Sequence, residues 1–292
     1  MNVLVRLSRH RSARIGLFCL LLVFGAAIFA PVLAPEGYDD QNLAMRLQPP
    51  SNESPLGTDQ LGRQLTSRII WGAQISLQIA FLATGIGLLI GSALGLVAGY
   101  YGGKIDRLIM GFMDVLLAFP GILLALAVVA VLGPGLYNVM IAVGISGIPR
   151  FARLVRGSTL SVREKEYIEA QHGLGARDIR ILTKHILPNI IGPIVVLATL
   201  RVGTSIMQAA GVSFLGLGAQ PPLPDWGGMV SQGRHLLRSE WWVGIFPGVA
   251  ILITVFGFNL LGDGVRDALD PRVRIAKKGD EPREASAEAG RR

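Results

Sequence analysis

One cysteine, four histidines and a charged fraction of only 16% leave little in these 292 residues from which to build a reactive centre. Cys19 has no second thiol to pair with, so the chain forms no internal disulfide and no thiolate metal cluster, and redox compartment stays open. A G-x-x-x-x-G-K-[ST] phosphate loop is missing: the pair Gly103-Lys104 has Ala98 where a glycine is needed and Ile105 where a hydroxyl is needed. A membrane-embedded enzyme would need His, Ser, Cys or carboxylates grouped at membrane depth, and the apolar runs contain no such group. A secondary transporter would need ion carriers and repeated halves; Asp114 and Arg201 are the only candidate carriers, and no repeat is visible.

Apolar residues, by contrast, make up 51% of the chain, more than a soluble core of this length needs, so the bilayer is its solvent. The formal net charge of +8 could suit nucleic acid. The basic residues instead stand in short clusters beside apolar runs, as positive-inside loops do, and nucleic acid is excluded as a partner.

Residues 1–14, with Arg6, Arg9, Arg11 and Arg14, form an N-terminal segment, and 15–34 form the first apolar run. A signal-peptide core is ~7–15 residues long, whereas this run approaches the ~20 that span hydrocarbon. It reads as a retained anchor, although Val32-Leu33-Ala34 is a passable cleavage site. Residues 35–74 turn polar, with Pro49, Pro50, Pro55 and mixed charges, and read as a periplasmic or extracellular excursion with an amphipathic end. The core at 75–265 holds five more runs, at 75–99, 108–132, from 136, 186–215 and 242–261. The one from 136 meets Pro149 and Arg150 early and is the weakest by length. In the second run Gly85, Gly87, Gly91, Gly95 and Gly99 recur at about one helical turn, which predicts close approach by a neighbouring helix. Trp226, Trp241 and Trp242 flank the last run, where interfacial aromatics belong.

Lys and Arg set the orientation, because positive loops are retained in the cytoplasm. The N-terminal segment, the turn at Lys104 and Arg107, and the stretch carrying Arg150, Arg153, Arg156, Arg163, Lys165, Arg177, Arg180 and Lys184 share one side. Both termini are therefore expected in the cytoplasm, which requires an even number of spans and agrees with six. Residues 266–292 form a polar tail, expected to be disordered at its end.

Within the loop 157–185, Ser161-Val162-Arg163-Glu164 matches a capping box and predicts a helix start. That helix is expected to run through Glu169 and Ala170 until Gly173 or Gly175 permits a bend, with Asp178 at the next N-terminus. Pro188 is expected to break the helix at the membrane boundary. A solvated basic loop is the plainer account of the charge; the order Glu169-Ala170, Gly175, Leu187-Pro188 favours a lever.

That order, within YIEAQHGLGARDIRILTKHILPNIIGP at 167–193, resembles the "EAA" loop of permease subunits from binding-protein-dependent ABC importers. LGTDQLGRQLTSRIIWGAQISL (56–77), GYYGGKIDRLIMGFMDVLLAFP (99–120), GVSFLGLGAQPPLPDWG (211–227) and NLLGDGVRDALDPR (259–272) extend the likeness to the dipeptide/oligopeptide branch over nearly the whole chain. Gln171 departs from the pattern at the second alanine, and His185 from a frequent isoleucine. The resemblance implies an all-α polytopic protein of the bacterial inner membrane with six transmembrane helices and a cytoplasmic coupling helix. It implies a homologous second permease subunit, two ATP-binding subunits that hold the ATP so that this chain carries no cofactor, and an extracytoplasmic solute-binding protein. Glu169, Ala170, Gly173, Gly175, Leu187 and Pro188 would contact the ATPase. Cargo would be dipeptides or oligopeptides, with nickel complexes, glutathione or other small solutes as alternatives.

Arg201, inside the fifth run, should face protein or water. With Met207 and Gln208 it is a candidate pathway residue; an ion pair with the partner permease or snorkelling is the structural alternative. Asp114 is expected to pair with a loop arginine, and His172 and His185 stand isolated with no metal role.

Overall fold

The computed structural model describes residues 11–269. Arg6 and Arg9, and the disorder expected of the tail from 270 onward, lie outside the described residues. α1 (Arg11–Ile28) and the short α2 (Ala30–Leu33) carry the first apolar run. The polar segment that follows is folded rather than free. Buried Asp59 accepts hydrogen bonds from the backbone N–H of Leu61 (2.8 Å) and Arg63 (3.0 Å) and from Arg63 Nε (2.8 Å), with Arg68 Nε 3.5 Å away. Charges are tolerated at that burial because they satisfy one another.

α3 (Leu65–Tyr101) is 37 residues long, ~55 Å at 1.5 Å per residue. It begins well before the run at 75–99, because 65–74 contains no proline and has an apolar face to bury. It ends where Gly102 and Gly103 adopt positive φ. α4 (Gly103–Leu117) and α5 (Gly121–Leu132) divide the third expected span, with a bend of 92° between them. Pro120 has no N–H to continue the ladder and forces the residue before it out of the helical region, so the run expected at 108–132 is broken into two helices.

α6 (Leu136–Arg163) corrects the reading of the fourth run, which continues through Pro149 for 28 residues. Arg150, Arg153 and Arg156 therefore belong to a helix and not to a loop. Ser161 sits in its last turn, so the capping box starts nothing. α7 (Glu166–Gly173) begins after Lys165 instead. α8 (Asp178–Ile181), a π-helical turn (Leu182–Ile186) and α9 (Leu187–Phe214) form one continuous rod. α10 (Trp226–Gly233) and α11 (Trp242–Leu269) complete the described chain.

Among the described residues, five helices are long and apolar enough to cross a membrane, and six segments do so if the bent α4–α5 pair counts as one. The tightest contact is α3 on α6. Gly91 faces the Ile148 carbonyl and Phe151, Gly95 faces the Ala152 carbonyl and Val155, and Gly99 faces Arg156 and Thr159. Each lacks the Cβ that would otherwise hold the backbones apart. On the opposite flank α1 lies on α11, with Gly16 against the Gly257 carbonyl and Leu260. Two tryptophans expected at the interface are interior anchors: Trp226 (2% exposed) donates its indole N–H to the Ile69 carbonyl, and Trp242 (8%) to that of Thr58. Trp241 stays exposed.

Candidate functional site

The segment from α7 to α8 is held to the bundle by apolar side chains. Ile168 of α7 is 1% exposed and Ile181 of α8 is fully buried, packing with Tyr100, Val155, Val162, Ile186 and Ile190 from α3, α6, the π turn and α9. Burying an isoleucine contributes ~1.5–3 kcal/mol, so the segment rides on the bundle. The opposite face of α7 presents Glu169 and Ala170 to solvent, beside an open cleft of about 410 Å³ whose lining includes Arg163, Glu164, Lys165 and His172.

Gly175 takes φ +75 and turns the chain between α7 and α8, where its N–H donates to the His172 carbonyl. A side chain there would be strained. Gly173 remains helical as the last residue of α7, so of the two expected bend points only Gly175 bends. Leu187 opens α9 and Pro188 follows it. Pro188 does not break the rod as expected. The π turn just ahead, where Leu187 N–H donates to the Leu182 carbonyl, loosens the ladder at the place where the proline ring would clash.

His172 is not isolated. Its ring stacks on Tyr100 (centroids 6.0 Å, 21°), and the Tyr100 hydroxyl lies 3.4 Å from Nε2 and donates to Asp178 Oδ1 at 2.8 Å. One side chain at the end of α3 thus touches both α7 and α8. The clue in the sequence was the pair Tyr100-Tyr101 immediately before Gly102-Gly103.

Deeper in the bundle a polar seam runs between α3, α6 and α9. Thr84 and Ser205 hydroxyls meet at 3.1 Å. Ser146 donates to the Val143 carbonyl (2.8 Å) and approaches Gln208 Oε1 at 3.5 Å. Arg201 is 4% exposed; its Nη2 also lies 3.5 Å from Gln208 Oε1, while Nε and Nη1 have no hydrogen-bond partner among the described residues. Met207 points away and is 66% exposed, so the structure does not join it to the seam. Asp114 pairs with Arg153 at 2.6 Å, and Asp106 with Arg156.

Between α9 and α11, buried Asp225 caps α10 by accepting from the N–H of Gly227 (3.4 Å) and Gly228 (3.2 Å). Burial pushes its carboxyl above the usual carboxylate range.

Residues 91–275 match the binding-protein-dependent transport system inner membrane component, and 2–50 match the N-terminal TM domain of oligopeptide transport permease C. The dipeptide transport system permease protein DppC of Alkalihalophilus pseudofirmus is 48% identical over 92% of this chain and 88% of its own length. The glutathione transport system permease protein GsiD of Pectobacterium atrosepticum is 50% identical over 92% and 89%. Among solved structures, the MetNI methionine ABC transporter in an inward-facing conformation aligns with a TM-score of 0.58 at 21% identity, covering 70% of this chain and 96% of that one.

Proposed function

Because this chain belongs to the binding-protein-dependent transport system inner membrane components, and is thus the permease subunit of an ABC importer, we propose that it forms half of a translocation pathway for dipeptides or oligopeptides. An extracytoplasmic solute-binding protein delivers the cargo, and a homologous permease supplies the other half of the pathway. Two ATP-binding subunits hold and hydrolyse the ATP, and this chain contributes no nucleotide site or other cofactor. Both termini lie in the cytoplasm, the residue 35–74 excursion faces outward, and the loop 157–185 faces the ATPases.

The observation that carries this reading is the two-sided coupling segment. Ile168 and Ile181 tie it to α3, α6 and α9, while Glu169 and Ala170 remain free beside the cleft. A partner that pushes on that outer face moves the inner face with it. Ala170 lets a surface come close, and Glu169 offers charge-assisted hydrogen bonds. Gly173 and Gly175 shape the turn, and Leu187 and Pro188 pass the movement into α9. ATP-driven closure then switches the pathway between outward and inward access. Arg201 and Gln208, with Met207 on the outer face of α9, contribute to that pathway.

The relative in Pectobacterium favours glutathione as a second cargo reading. The test is ATP hydrolysis by the purified assembly with the binding protein loaded in turn with dipeptides, longer peptides and glutathione. Stimulation by one class assigns the cargo; failure of any ATPase to co-purify removes the coupling role of 157–185.

A further inference from the structure

In the polar excursion, residues 36–45 lie against 54–64: the Asn42 carbonyl oxygen stands 1.7 Å from where a Cβ on Gly62 would be, and the Thr58 hydroxyl donates to the Met45 carbonyl. Between the two stretches is a cavity of about 180 Å³ whose lining includes Glu36, Tyr38, Asp40, Met45, Ser54 and Gln64. No Lys, Arg or His lines it, and among the described residues neither Glu36 nor Asp40 pairs with a cation. Two nearby bases are engaged elsewhere, Arg63 with Asp59 (2.8 Å) and Asp39 (3.6 Å), and Arg68 with Asp59 (3.5 Å).

Ser54 is 1% exposed and its backbone is fully bonded: its N–H donates to Ser51 Oγ at 3.1 Å, and its carbonyl accepts from the N–H of Ser51 (2.9 Å) and of Gly57 (2.8 Å). Its hydroxyl, on the wall of the cavity, has no hydrogen-bond partner among the described residues. Thr58 on the same wall is satisfied both ways, accepting from Gln48 N–H at 2.8 Å and donating to Met45. An unpaired buried hydroxyl destabilises the fold, so Ser54 is placed for a group that enters the cavity. Two carboxylates and this hydroxyl are three acceptors without a donor, and a primary ammonium is three donors on one atom. A guanidinium instead takes a single carboxylate through a planar fork. The half-buried Tyr38 and Met45 supply apolar wall, along which a methylene stem packs while its charged head reaches the acids. One water needs ~10–15 Å³, so the cavity has room for head and stem together, and a bare metal ion would leave most of it to water. From 36 to 56 the excursion carries four acids (Glu36, Asp39, Asp40, Glu53) and one base (Arg46), which draws a cationic partner surface.

We propose that this cavity receives a lysine side chain of the extracytoplasmic solute-binding protein, its ammonium held by Glu36, Asp40 and Ser54. This rests on the permease reading above, which puts residues 35–74 on the side from which that protein arrives. Gln64, on the cavity wall, is the residue from which α3 starts, so the lysine is seated at the foot of that helix.

The test uses the complete assembly in nanodiscs with its solute-binding protein. A carbodiimide joins a carboxylate to an amine in contact with it, forming an amide with loss of water, and peptide mass spectrometry identifies the joined residues. In wild type we expect Glu36 or Asp40 joined to a lysine of the binding protein. The double variant Glu36→Gln, Asp40→Asn should lose that product and weaken the Kd for the binding protein about tenfold, the scale of one charge-assisted contact. Glu53→Gln removes an exposed acid outside the cavity and should weaken it about twofold or less. Ser54→Ala should weaken it ~3-fold without lowering the melting temperature of the assembly, because no bond within the chain is lost; a lowered melting temperature with unchanged Kd would make the hydroxyl structural and overturn its role. Binding to the wild-type assembly tests the importer reading by itself, and the difference between wild type and the double variant tests the cavity. Unchanged affinity in the double variant overturns the proposal. So does calcium chloride that raises the melting temperature of wild type and not of the double variant, since the cavity is then a metal site.

Discussion

Replacing Gly95 by alanine tests the α3–α6 contact. A Cβ at Gly95 would stand 2.4 Å from the Ala152 carbonyl oxygen, 2.9 Å from Val155 Cβ and 3.0 Å from Arg156 N. The first and last of these are backbone atoms of a helix fixed along its length, so no rotamer change relieves them, and the helices must separate by several tenths of an ångström. Neighbouring contacts at Gly91 and Gly99 would loosen together. Overpacking of this kind costs roughly 1–3 kcal/mol, against a gain in helix propensity of about 1 kcal/mol from replacing glycine. The balance is a net loss of up to ~2 kcal/mol, which lowers the melting temperature by a few degrees for a chain of this size. Gly85→Ala is the internal control. Its Cβ meets nothing within 4 Å, so it should gain the propensity with no clash. Thermal unfolding of the detergent-purified assembly, followed by tryptophan fluorescence, compares the two. If Gly95→Ala melts at or above Gly85→Ala, close packing of α3 on α6 is not what the glycine stripe provides.

Tyr100→Phe removes the hydroxyl that donates to Asp178 and keeps the ring on His172. Because Asp178 is exposed, the loss is ~1.5 kcal/mol, the low end for a charged acceptor; the assembly should persist but hydrolyse more ATP per cargo molecule imported, and an unchanged ratio would remove α3 from the proposed coupling. Glu169→Lys should abolish uptake while the chain still inserts and binds its partner permease, and Gly175→Val should do the same by straining a positive φ; wild-type uptake in either assembled variant counts against the lever. Burial raises the Asp225 carboxyl, so the folded state holds that proton more tightly than the unfolded state. Its contribution to stability is fully present below the ordinary carboxylate value and is lost as pH rises through the raised one. Asp225→Asn keeps an acceptor for Gly227 and Gly228 and should flatten that part of the melting-temperature profile against pH, whereas an unchanged profile would show that Asp225 does not titrate there.

Span number was legible because a bilayer forces each crossing segment to be long, apolar and self-bonded. The glycine stripe was legible because small residues at helical spacing have one main use at such depth. The course of α6 was not. Three arginines and Pro149 read locally as a loop, and Asp114, which neutralises Arg153, is 39 residues away in the chain. The same holds for Trp226, whose acceptor at Ile69 is 157 residues distant, so nothing nearby distinguished an interior anchor from an interfacial ring. Between α7 and α8 the turn at Gly175 and the exposed Glu169 followed from local pattern. The π turn did not, because it answers a steric conflict around Pro188 that only a continuing helix creates. The seam of Thr84, Ser146, Ser205 and Gln208 was only partly visible, since single hydroxyls in apolar runs carry no signal until two of them meet.

α3 is one unbroken helix from the Asp59–Arg63–Arg68 cluster to the Tyr100–Asp178 contact. A rod of that length cannot be set at one end without constraining the other, so in the importer proposed above the two faces share a thermodynamic account. Whatever factor a loaded binding protein adds to the grip of the ATP subunits, those subunits must return in equal measure to the grip on the binding protein. Measuring either affinity with and without the other partner therefore yields both, and the reciprocity can be checked without following a single molecule of cargo across the bilayer.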